Sequence, residues 1–110
     1  RLEQNAAKPK TAEEHYAAGV ALLNRGELGG AFEHLREALM AEPAADHFHY
    51  VYALCAGLRG DLNVCAQHLQ QAIELEPRNR GAARSDPDWA PLARQPAIRE
   101  LLHPERRENG

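Results

Sequence analysis

The chain has 110 residues, of which 44% are hydrophobic and only 5% aromatic, and a formal charge of −3. That length suits one small domain, and so few aromatics argue against a large aromatic-lined cofactor cavity; no cofactor is expected. Thirteen basic residues are interspersed with sixteen acidic ones, so the chain lacks the basic surplus that a phosphate backbone requires, and nucleic acid is not an expected partner.

No apolar run approaches the ~20 residues needed to span a bilayer, and no signal peptide is visible. Membrane is therefore not an expected partner. The two cysteines, Cys55 and Cys65, are too few for a disulfide framework, so a reducing cytoplasm is the default location. From a start at Arg1 in place of Met the expectation is a processed protein or a piece of a longer one. The segments 1–10 and 103–110 read as a polar linker and a charged tail, both expected to be mobile.

The first predicted helix opens at "TAEE" (Thr11–Glu14). This is a capping box, in which the threonine accepts from the backbone amide three residues on and the glutamate reaches back. Ala18, Gly19, Leu22 and Leu23 follow at helical spacing, and Gly26 is the expected stop. A second helix is predicted over about Leu28–Ala41, ending before Pro43 because a residue preceding proline disfavours the α conformation.

The same pattern then repeats. Residues 12–45 align with residues 46–79 without a gap, and ten of the thirty-four positions are identical. These include His15/His49, Tyr16/Tyr50, Gly26/Gly60, His34/His68 and Pro43/Pro77. In the second copy Asp46 starts a helix, Gly60 stops it and Asp61 caps the next; Glu27, at the matching place in the first copy, should cap less well. The tripeptide Arg59-Gly60-Asp61, which adhesion proteins display on extended loops, is thus expected to be a helix-to-helix turn.

A thirty-four-residue period, small residues at Gly19, Ala31, Ala53 and Cys65, alanines at Ala38 and Ala72, and prolines at Pro43 and Pro77 resemble the tetratricopeptide repeat family. The resemblance covers residues 12–79. It departs from the family pattern at the early tryptophan place, which holds His15 and His49, and at the late aromatic place, which holds leucine.

It implies an all-α superhelix of antiparallel helix pairs, with residues 12–45 and 46–79 as the two repeats and residues 80–102 as a degenerate helical cap of the kind that follows many bacterial arrays. In that cap Asn79 is read as a helix cap, and Pro87 and Pro96 as first-turn prolines. Trp89, Leu92, Ile98, Leu101 and Leu102 are the apolar residues available to cover the second repeat. Trp89 has a second reading, as an exposed anchor for a partner.

By the same resemblance a concave groove is lined by Glu13, Tyr16, Val20 and Leu23, then by His47, Tyr50, Leu54 and Gly57, with Gly81 and Arg84 from the third unit. Such an apolar, tyrosine-containing groove suits a peptide or helix of a partner protein, or else self-association as a homodimer. The chaperone-tail-binding members grip a terminal carboxylate with basic and amide residues, whereas Tyr16, Val20, Val51, Gly81 and Ser85 stand at those places here; acidic tails are not expected ligands.

Six histidines raise a metal reading, yet His47 and His49 point about 200° apart on a helix and no zinc-site spacing occurs. No phosphate loop, nucleophile elbow or paired metal motif appears, and Cys55 and Cys65 stand where the first repeat has alanines. A non-catalytic interaction module is the expectation.

Overall fold

A computed structural model describes residues 9–104. Residues 1–8 and 105–110, which include most of the linker and tail, lie outside the described residues. Among those described the chain is all-helical: α1 (Ala12–Asn24), α2 (Leu28–Ala41), α3 (Asp46–Leu58), α4 (Leu62–Leu75), α5 (Arg78–Ser85), a 3₁₀ turn (Pro87–Trp89) and α6 (Pro96–Leu102). α1 packs chiefly on α2 and α3 on α4, α2 joins the two hairpins through α3, and α6 lies on α4 and α5. The molecule is an α-helical repeat superhelix closed by a short helical cap.

Local chemistry sets the boundaries. At the start of α1 the amide of Glu14 donates to Thr11 Oγ1 at 3.1 Å, while Glu14 Oε1 accepts from the amides of Thr11 and Lys10. Both hairpins turn on a left-handed glycine, Gly26 at φ 79° and Gly60 at φ 95°, which a side chain would strain. The amide of Glu27 donates to the Leu22 carbonyl and that of Asp61 to the Ala56 carbonyl, each at 2.9 Å. This is the six-to-one bond of a Schellman ending. Asp61 then accepts from the Val64 amide at 3.2 Å, so the Arg-Gly-Asp segment is a turn with its aspartate engaged. Glu27 makes no capping bond and pairs with Arg25 at 2.8 Å instead.

Two layers of core result. Between the hairpins lie Ala31, Leu35, Ala38, Leu39, Phe48, Tyr52 and Cys55. Between the second hairpin and the cap lie Leu54, Leu69, Ile73, Trp89, Leu92, Ile98 and Leu102. Trp89 is fully buried, which makes it part of the lid and removes it as an exposed anchor. Gly57 stands where the first hairpin has Leu23, and it must be small: a Cβ there would sit 2.5 Å from Leu92 Cδ1 and 2.8 Å from Cys65 Sγ.

One boundary differs from expectation. α5 begins at Arg78 after Pro77, and Asn79 is not its cap. The Asn79 side-chain amide instead donates to Asp46 Oδ2 and to the Ala72 carbonyl, both at 2.9 Å. It fastens the α4–α5 corner to the start of α3, a contact that spans a whole repeat and that local capping rules do not reveal.

Candidate functional site

α1 and α3 lie side by side, so equivalent positions of the two repeats form parallel rows. Glu13 and Tyr16 are one helical turn apart on α1, as are His47 and Tyr50 on α3. The structure brings three of these together. Glu13 Oε2 lies 3.6 Å from His47 Nε2, and the Tyr16 ring meets His47 edge-on at 5.1 Å and stacks on Phe48 at 4.9 Å. Tyr16 is half-buried and Glu13 and His47 are exposed, with Val20 and Leu23 partly buried further along α1. Burial pushes the Tyr16 hydroxyl pKa up, and the Glu13 charge adds to that.

Tyr50 is held by the cap. Its hydroxyl donates to Asp86 Oδ2 at 2.9 Å, and its ring meets Trp89 at 5.7 Å, edge to face. Burial, then the bond to Asp86, then the Asp86 charge raise its pKa; the Trp89 indole opposes them, and the more distant Asp88 charge adds least. That buried indole N–H makes no hydrogen bond of full geometry among the described residues. Asp86 is a site residue that groove positions alone did not indicate. The signal for it was its place before Pro87, where it caps the 3₁₀ turn by accepting from the Asp88 amide at 2.9 Å.

Two expected lining residues, Leu54 and Gly57, are corrected, since both are buried, Gly57 against Leu92 and Cys65. Leu54 is 5% exposed and belongs to the core beneath the cap. Arg84 directs its guanidinium Nε–H at the Leu102 carbonyl, where a cation at the end of α6 meets the negative end of the helix dipole. Arg80 does the same to the Leu101 carbonyl at 2.8 Å. Both arginines latch the cap. Gly81 is exposed and supplies no side chain.

The repeated histidines pair across each hairpin. His15 and His34 approach Nδ1 to Nδ1 at 3.1 Å, and His49 and His68 at 3.0 Å. The members of each pair stand nine and ten residues from the turn arginine, Arg25 or Arg59, and this equal spacing was the sequence signal for contact. Around His49 the protons are determined. Its Nε2–H donates to the Pro43 carbonyl at 2.6 Å, so its Nδ1 accepts and His68 Nδ1–H donates. Burial and the neighbouring His49 lower the His68 pKa. Among the described residues no group of three or more His, Cys, Asp or Glu side chains is placed to hold a metal ion.

A recess of about 250 Å³ lies between the hairpins, lined by Arg36, Leu39, Met40, Pro43, His49, Tyr52 and His68. Tyr52 stacks on Phe32 at 4.6 Å, and Arg59 lies 4.2 Å above the Phe32 ring. Both cysteines are fully buried. The Cys55 thiol donates to the Leu28 carbonyl at 3.5 Å, and burial pushes the Cys65 thiol up to about 12. A thiol so protonated at neutral pH is a poor nucleophile. No helix among the described residues is long and apolar enough to cross a membrane. No family model, curated protein or solved structure matches the chain.

Proposed function

We propose that this chain is a tetratricopeptide-type interaction module, without catalytic chemistry of its own, that holds a peptide or helix of a partner protein against the face of α1 and α3. The observation that supports this most is the cluster of Glu13, Tyr16 and His47, with the half-buried Tyr50 one turn further along α3. Tyrosine buries area at low entropic cost, which makes such a cluster a ready anchor surface.

End-to-end self-association has less support. The residues by which the second hairpin grips the first are Phe48, Tyr52 and Cys55; their counterparts on the first hairpin are Glu14, Ala18 and Ala21, polar or small. That outer face offers little apolar area for another copy, and the cap covers the other end.

Tyr16→Ala is the cleaner test variant, because Tyr50→Ala also breaks the bond to Asp86 and loosens the cap. Purified wild type and Tyr16→Ala, used to capture partners from cells that make the protein, should differ. A partner held by the wild type should bind the variant about 1–3 kcal/mol more weakly while the melting curve of the variant stays cooperative. Equal affinity would move the binding surface elsewhere. A stable dimer in light scattering that dissociates on Tyr16→Ala would favour self-association through this same face.

A further inference from the structure

If α1 and α3 form the partner surface, a reading on which this inference rests, the charges around it say what kind of segment it takes. We propose that the partner segment is cationic, with two Lys or Arg side chains seated on Tyr16 and Tyr50 and paired with Glu13 and Asp86. A tyrosine ring edged by a carboxylate attracts an ammonium or guanidinium twice, through the ring quadrupole and through the ion pair. Each tyrosine has such a carboxylate, Tyr16 from its own helix and Tyr50 from the cap, since His47 stands at the place that matches Glu13. Glu13 lies one turn from Tyr16, and Asp86 accepts directly from the Tyr50 hydroxyl.

The charge balance agrees. Residues 11–77 hold ten carboxylates against three arginines, whereas the cap, residues 78–104, holds three carboxylates against five arginines. The arginines of the repeats are engaged, Arg25 with Glu27 at 2.8 Å, Arg36 with Glu33 at 2.9 Å and Arg59 over Phe32, and in the cap Arg78 pairs with Glu76 at 3.0 Å while Arg80 and Arg84 donate to the Leu101 and Leu102 carbonyls. An acidic segment would therefore meet repulsion at both tyrosines, and a cationic one would meet attraction.

Spacing narrows the ligand. Packed helices lie about 8–10 Å apart, so the two cations should be separated by roughly that distance. A segment in the polyproline II conformation, with three residues per turn, provides it between residues i and i+3, at ~3.1 Å per residue. A helical segment provides it between i and i+7, at ~1.5 Å per residue.

Calorimetry with two series of synthetic peptides tests this. The series share the same apolar residues and carry either two lysines or two glutamates at i,i+3, at i,i+4 or at i,i+7. The expected result is binding by a lysine peptide of the i,i+3 or i,i+7 type, at least about tenfold tighter than its glutamate twin. That binding should weaken between ~0.05 and ~0.3 M salt, and Glu13→Lys should cost about another tenfold without lowering the melting temperature.

Glutamate peptides that bind as well, and lose binding on Tyr16→Ala, would overturn the cationic inference and leave the α1–α3 surface standing. Lysine-peptide binding indifferent to salt and to Glu13→Lys would overturn it too. If neither series binds, the inference and the surface both fall.

Discussion

The two hairpins align without a gap, yet α3 buries eight of its residues and α1 only two. α1 has a neighbour on one side and solvent on the other, whereas α3 is enclosed by α2, α4 and the cap. The copies have diverged to suit these places. Glu14, Ala18 and Ala21 on the outer helix become Phe48, Tyr52 and Cys55 on the inner one, and Leu23 becomes Gly57 where Leu92 presses in. A solenoid repeat cannot cover its own faces, so its sequence follows its position in the stack. The difference between the copies therefore follows their neighbours among the described residues.

The largest expected effect breaks the comparison by uncovering the second hairpin. A chain ending at Asn79 should lose cooperative unfolding altogether in calorimetry. Trp89→Ala, which empties the largest fully buried side chain, should cost about 3–5 kcal/mol in denaturant titration. A sharp transition in the truncated chain would show that the hairpins need no lid.

Gly57→Leu gives the second copy the residue of the first. Because a Cβ at that place already meets Leu92 and Cys65, overpacking should cost about 1–3 kcal/mol, and Leu92→Ala in the same chain should recover part of the loss. Additive effects of the two substitutions would mean that they do not share the space.

Making the first copy resemble the second should work in the opposite direction. Glu27→Asp supplies the short carboxylate that caps α4 through Asp61, and it should stabilise by about 0.5–1 kcal/mol. The exposed pair with Arg25 that it gives up is worth little. An unchanged midpoint would mean that the backbone at this turn does not admit the cap.

The smallest effect concerns His68. Its pKa is held below the ordinary value, near 6.5, so the unfolded chain takes up its proton first. Stability from this group is complete above pH ~6.5 and is lost as pH falls through the lowered folded pKa. The melting temperature should drop between pH 7 and 5, and His68→Gln should flatten that slope. A slope as steep in the variant would assign the dependence to other groups.

The helix boundaries were legible because each is set by neighbours in sequence: the Thr11 box, the glycine turns at Gly26 and Gly60, and the stops before Pro43 and Pro77. The candidate surface was legible only in part. Glu13, Tyr16 and His47 come together because α1 and α3 repeat one register, and this follows from the period. Leu54 and Gly57 left the groove because the closing segment abandons the period after Asn79 and packs over them. Where Pro87 and Pro96 direct the chain depends on which apolar faces remain to be covered, and the pattern within the segment does not state that.

By itself the sequence determined the all-α class, two copies of one hairpin and the residues at which the four helices of those hairpins start and stop, since hydrogen bonds within a few residues decide these. Only the tertiary structure decided that Asn79 fastens one repeat to the previous one, that Tyr50 belongs half to the cap through Asp86, and that the four conserved-in-register histidines form two bonded pairs. Those contacts join residues 19 to 36 positions apart. They exist because burial of apolar faces places whole helices against each other and leaves the polar groups at their margins to find partners.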